Sequence, residues 1–318
     1  MATALQVLRV IAAVVGTALV MLAWSELIFF NEGPAEALIA ALTGGALVTL
    51  GYIAEVTAFY AIPAAFLVGL VRLFGSQGLG RIMVIGALTG YSIEGAVVAA
   101  VYEAVPLSYL WTSVAWHGPI TVALGVFVLP RLMTNASVFK MVGVSLLLGA
   151  AWALWTTWIW VDGNASIVPA GDFYWFAAAT WTLLLLGYGL CHFAQWPNIA
   201  IPRWFAIVMC LPTAILWVVQ GLQVPIFGIG LLVIIAGLLL ALSLWGRDIE
   251  AGYKIKQTNL SVFILMPATA ALVYGIILET GTPIGSEDLV SLVFVAGMIA
   301  WLYGIVHQLR RHRKRRRT

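Results

Sequence analysis

Charge is what this sequence has least of. Asp, Glu, Lys and Arg make up 9% of its 318 residues, against roughly a quarter in a soluble domain. So few charges cannot cover a water-facing surface, which excludes a soluble globular fold. The apolar runs are long and continuous, not short and alternating, which excludes a β-barrel. Cysteine is scarce: Cys191 and Cys210 both lie in apolar runs. They read as small buried residues rather than disulfide partners or metal ligands. Short catalytic signatures are missing too. There is no His-x-x-x-His, His-Glu-x-x-His, paired Glu-Glu, Gly-x-Ser-x-Gly or phosphate-binding glycine loop. The local marks of metalloproteases, serine hydrolases and ATPases are therefore absent. No cofactor and no metal are expected. Nucleic acid is not expected as a partner, because no folded basic surface is in view.

What is present is hydrophobicity, at 63% of residues and a mean hydropathy of +1.03. A span needs about 20 apolar residues. Runs near 5–30, 38–72, 82–104, 107–130, 141–161, 173–193, 203–221, 225–246, 259–279 and 288–309 meet that need. The sequence predicts an all-α polytopic membrane protein of about ten transmembrane helices. Residues 1–309 form one helical domain, and 310–318 form a basic cytoplasmic tail expected to be disordered. The first run carries Arg9 early and lacks a cleavage site to match its length, so it reads as a retained helix.

The charges orient the chain. With both termini in the cytoplasm, all 16 Lys and Arg fall on the inner side: Arg9, Arg72, Arg81, Arg131, Lys140, Arg203, the 247–256 connection and the tail. Glu32, Glu36, Asp162, Asp172, Glu279, Glu287 and Asp288 fall on the outer side. This asymmetry predicts a multi-pass protein of the plasma (inner) membrane. The lipid bilayer is its first partner, and the tail suits anionic headgroups. The outer loop 162–172 contains an Asn164-Ala165-Ser166 sequon, read as a chance match.

The second run is too long for one span. From Leu38 to Arg72 a single helix would measure about 52 Å. Gly44-Gly45, Gly51 and Pro63 are candidate breaks: either a half-helix or re-entrant piece near 36–48 precedes a tilted span, or one long tilted helix projects outward. Gly-Tyr-x-x-Glu occurs at Gly51–Glu55 and again at Gly90–Glu94, a faint internal echo.

The candidate site lies within the first four runs, in 1–132. Glu94 falls 13 residues after Arg81 and 12 before Pro106, and His117 falls 11 after Pro106. In a hairpin turning at Pro106 both sit at similar depth, roughly 16–18 Å below the surface. Ionisable groups at such depth mark functional sites. Glu94 and His117 are the acid/base or proton-coupling pair, since an imidazole beside a carboxylate exchanges protons near neutral pH. Glu26, Glu55, Tyr91, Tyr102 and Trp116 are expected to line the surrounding pocket. Ser113 and Thr121 flank His117 on its own face.

Three functions fit these residues. The first is a proton-coupled secondary transporter of a small or amphipathic solute. The second is an intramembrane enzyme on a lipid or isoprenoid substrate, using the same Glu/His pair in the outer half of the membrane. The third is a structural or assembly subunit in which the pair only bonds helices. In outline, ten spans at this length with both ends inside is similar to small drug/metabolite carriers built from two five-helix halves. That resemblance covers architecture alone. No motif of that family is matched, and the acids sit in one half.

Overall fold

The computed structural model describes residues 4–30, 32–161, 167–281 and 286–315. Asp162, Asn164, Arg316 and Arg317 lie outside them, as do the side chains of Glu32, Glu287 and Asp288. The described chain is helical, with no β-strand.

In chain order the long helices are α1 (Ala4–Leu27), α2 (Glu32–Thr43), α3 (Ala46–Phe74), α4 (Leu79–Ser92) and α5 (Leu107–Asn135). There follow α6 (Val138–Thr156), α7 (Ala170–Phe193), α8 (Arg203–Gln223), α9 (Pro225–Leu244), α10 (Gln257–Thr280) and α11 (Ser286–Arg315). Nine of these are long and apolar enough to cross a membrane: all but α2 and α4. The chain has the makeup of a multi-pass membrane protein.

Two expectations change in detail. The helix expected at 82–104 ends earlier. α4 runs to Ser92 and continues as a wider π-helical turn, Ile93–Val97. At 14 residues α4 is too short to be among the nine, and it is buried along nearly its whole length. A left-handed Ala99 and a 3-10 turn, Ala100–Tyr102, carry the chain toward Pro106. The tail expected to be disordered from 310 is also different, because α11 continues to Arg315. A helix already nucleated propagates readily through Arg and Lys, which are good helix formers.

The long second run does break. Gly44 ends α2, and Gly45, at φ +94°, starts α3. Only glycine adopts that conformation cheaply. Pro63 lies inside α3 and does not interrupt it.

α1 packs against α3 and α7, α4 packs against α5 and α11, and α6 packs against α10. Small residues allow the closest approaches. A Cβ on Gly86 would lie 2.8 Å from Gly118 Cα, and one on Gly90 would lie 2.4 Å from the Ser113 carbonyl oxygen. Glycines thus bring the backbones of α4 and α5 into contact.

The two ends of the bundle differ in charge. At one end Arg81 donates to the carbonyls of Trp245 (3.1 Å), Gly246 (2.9 Å) and Asp248 (3.3 Å). Arg131 forks onto Glu250, Lys256 reaches the Ala136 carbonyl, and Arg311 reaches Gln77. At the other end Tyr52 donates to the Pro34 carbonyl and Tyr274 to the Val168 carbonyl. The basic connections therefore gather at one end, as the charge pattern requires.

Candidate functional site

Three helices of the first half leave α-geometry, and each does so at a residue with a deep polar group. α1 ends in a π-helical turn, Ala23–Leu27, that holds Ser25 and Glu26. The π-helical turn after α4 holds Glu94. Within α5, Trp111–Val128 is π-helical and holds His117. Such turns bond i to i+5, as Ile28 N–H to the Ala23 carbonyl (2.7 Å) and Val98 N–H to the Ile93 carbonyl (2.9 Å) do. The wider turn advances the chain less per residue and swings side chains off the α-helical face. It recurs at functional sites.

Glu94 lies near the end of its helix, which stops at Val97 and does not continue to Pro106. Even so it meets His117, with the imidazole Nε2 2.8 Å from Glu94 Oε1. The His117 side chain is 3% exposed and that of Glu94 12%. The ring is held from its other side as well. Nδ1 lies 3.1 Å from Thr121 Oγ1 and 3.1 Å from Ser25 Oγ. With the ring proton on Nε2, toward the carboxylate, Nδ1 accepts from one hydroxyl at a time, Thr121 or Ser25. Glu26 Oε1, 3.4 Å away, is the alternative acceptor for the single Ser25 hydroxyl proton, and Tyr60 of α3 donates to the same oxygen.

The result is one continuous path of hydrogen-bonding side chains: Glu94, His117, Ser25, Glu26, Tyr60. It joins α1, α3, α5 and the turn after α4. Ser25, Glu26, Tyr60 and His117 are all buried. Buried polar networks of this kind are stable when every member is satisfied. Ser113, expected with Thr121 to flank His117, has a buried hydroxyl with no hydrogen-bond partner.

The other expected pocket residues divide. Trp116 is buried, and its ring packs against Phe29 (4.1 Å between centroids) and Trp155 (5.2 Å). It walls the site on the side of α6. Tyr91 is buried but turned away, donating to the Tyr109 carbonyl (2.9 Å). It ties α4 to the start of α5. Tyr102 lies on the turn beyond α4 and donates to the Gly95 carbonyl (3.3 Å). Glu55 is exposed on the N-terminal half of α3, with Leu47, Val48, Leu50 and Phe59 also exposed there. The structure therefore gathers Glu26, Glu94, His117 and Trp116, and leaves Glu55, Tyr91 and Tyr102 outside the network.

Ser25 and Tyr60 were not legible as site residues. A hydroxyl in an apolar run costs little, and neither stands at a spacing that marks it. His192 lies at the basic end, with Nδ1 3.3 Å from the Tyr253 carbonyl oxygen. Among the described residues no group of three or more His, Cys, Asp and Glu side chains is placed to hold a metal ion. Neither a protein-family model, nor a curated protein, nor a solved structure matches this chain.

Proposed function

We propose that this chain is a proton-coupled secondary transporter of a small or amphipathic solute. In this reading it spans the plasma (inner) membrane with both termini in the cytoplasm, and α4 is a tenth span surrounded by protein. The observation that carries the reading is the unbroken path from Glu94 to Tyr60. A carboxylic acid, an imidazole and hydroxyls in hydrogen-bond contact can hand on a proton by exchanging donor and acceptor roles. Four separate helical segments contribute, so a change in protonation alters bonds between helices, as alternating access requires. A bond serving only as glue between two helices needs one donor and one acceptor.

A second reading rests on one specific contact. Ser25 Oγ, His117 and Glu94 stand in the order hydroxyl, imidazole, carboxylate. That is the arrangement of a nucleophile, its base and the group orienting the base. It suits an intramembrane enzyme acting on a lipid or isoprenoid substrate.

Proteoliposomes with an imposed pH gradient and an internal pH dye test the first reading. Wild-type protein should give solute-dependent proton flux in a screen of small and amphipathic solutes. Glu94→Gln and His117→Ala should abolish it, and Ser25→Ala should slow it. Solute movement that is equal in the variants and independent of the gradient would overturn the coupling. Labelling of Ser25 by a serine-reactive acylating probe, lost in His117→Ala, would favour the enzyme. Unchanged flux with no labelling would leave the pair as an interhelical bond in an assembly subunit.

A further inference from the structure

A second polar feature lies at the opposite, basic end of the bundle. A cleft of about 210 Å³ opens between the end of α3, the start of α8 and the segment after α9. Arg72, Arg203 and Arg247 line it, each from a different one of these elements. Leu73, Phe74 and Leu242 supply its apolar wall, and no carboxylate is among its lining residues. Arginines from three elements line one small space, and an anion held among them would relieve their mutual repulsion. Two neighbouring networks behave differently, since Arg131 is paired with Glu250 and Arg311 lies 3.9 Å from Asp248.

The cleft is also shaped for an anion. Arg72 Nε donates to the Ile201 carbonyl, which fixes its guanidinium at the wall. Arg203 is the first residue of the 21-residue helix α8, whose free N–H groups and positive dipole end favour negative charge there. Guanidinium groups match phosphate oxygens by paired hydrogen bonds.

The surroundings indicate where the phosphate comes from. Trp204, beside Arg203, is 66% exposed, as a tryptophan at headgroup depth is. Beyond it Ile207, Val208 and Leu211 of α8 and Leu240 and Leu244 of α9 are exposed. An apolar track therefore leads away from the arginines along the bundle wall. A free phosphate ion would use the cleft and leave the track empty. A phospholipid would use both.

We propose that Arg72, Arg203 and Arg247 bind the phosphate headgroup of an anionic phospholipid, with its acyl chains lying along α8 and α9. The site is separate from the basic tail, and it does not depend on what the Glu94 network does.

Native mass spectrometry of the full-length protein, titrated with phosphatidylglycerol or phosphatidylcholine, tests this. Wild-type protein should retain phosphatidylglycerol in preference to phosphatidylcholine. Arg203→Gln and Arg247→Gln should each weaken the anionic lipid about fivefold, and the double variant more. Both side chains are exposed, so thermal unfolding without lipid should match wild type. Neutralising Arg315, Arg316 and Arg317 should leave the selective binding intact. The proposal is overturned if the double variant keeps the selectivity, or if the tail variant loses it. It is also overturned if inorganic phosphate binds with the same arginine dependence while the wild type shows no preference for the anionic lipid.

Discussion

The two ends of this bundle both bury charge, and they do so for opposite ends. At the basic end, Arg81 is 1% exposed and spends its donors on backbone carbonyls of the α9–α10 connection. Arg131 forks onto one carboxylate, Glu250, which also accepts from Tyr253 at 3.2 Å. Arginine stays charged at any ordinary pH, so these two guanidinium groups always act as donors and hold loops in place. At the other end, Glu94, His117, Ser25, Glu26 and Tyr60 bond side chain to side chain. Every link there joins groups that can exchange donor and acceptor roles. Buried polarity gives a rigid clamp when it is met by fixed carbonyls. When it is met by other side chains that can both donate and accept, it gives a network whose bonds can be redrawn.

The strongest way to break this comparison is Arg81→Met. The substitution keeps the bulk and leaves the carbonyls of Trp245, Gly246 and Asp248 without that donor. The Asp248 carbonyl keeps the N–H groups of Ser76 and Gln77, while bonds from a charged donor contribute about 1.5–3 kcal/mol each at Trp245 and Gly246, so unfolding in detergent should show a loss of about 3 kcal/mol or more. Proton flux per folded molecule should stay near wild type. A flux defect in well-folded Arg81→Met protein would mean that the two ends are one functional unit.

Gly90→Ala comes next. Its added methyl would sit 2.4 Å from the Ser113 carbonyl oxygen, which is backbone and cannot rotate aside. α4 and α5 must separate, at a cost of about 1–3 kcal/mol. Because Glu94 and His117 lie on these two helices, flux should fall as well. A stable Gly90→Ala protein with full flux would show that the close glycine contact does not set the Glu94–His117 distance.

Much of this was readable beforehand, for a physical reason. An ionisable residue in an apolar run is costly, so Glu26, Glu94 and His117 stand out. Counting from Pro106 pairs the last two. The charge pattern marks which connections share an end. The echo of Gly-Tyr-x-x-Glu marks the limit of such reading. In one copy Glu94 bonds His117 at one end of the network, whereas in the other Glu55 is exposed. The pattern is the same and the neighbours differ. The π-helical turns were not readable, because no residue type specifies them. They decide which face each polar group takes, and so bring Ser25 to His117 and leave Tyr91 bonding elsewhere.

A smaller effect is expected at Tyr253, which lies between the helices at the basic end. Burial pushes its hydroxyl above the ordinary value of 10.0, with Glu250 adding to the shift and Arg131 opposing it. A raised value means that the folded state holds the proton more tightly than the unfolded chain does. The stability it contributes is therefore complete below about pH 10 and is lost as pH rises further. Tyr253→Phe has no such proton. It should cost about 1 kcal/mol at neutral pH through the lost bond to Glu250, and its stability should decline less steeply than wild type above pH 10. Parallel alkaline profiles would mean that Tyr253 is not sheltered in the folded protein.

Glu94→Gln should be the mildest change in stability and the most severe in function. The amide is isosteric and can still accept from His117 Nε2, so the loss should be under about 1 kcal/mol. It can no longer take up and release a proton, so flux should vanish. Arg81→Met and Glu94→Gln thus form a pair with opposite signatures, stability in one and transport in the other. If Glu94→Gln instead unfolds the protein as Arg81→Met does, the Glu94–His117 bond is a clamp like those at the basic end. The distinction between the two ends would then collapse into one kind of structural bond.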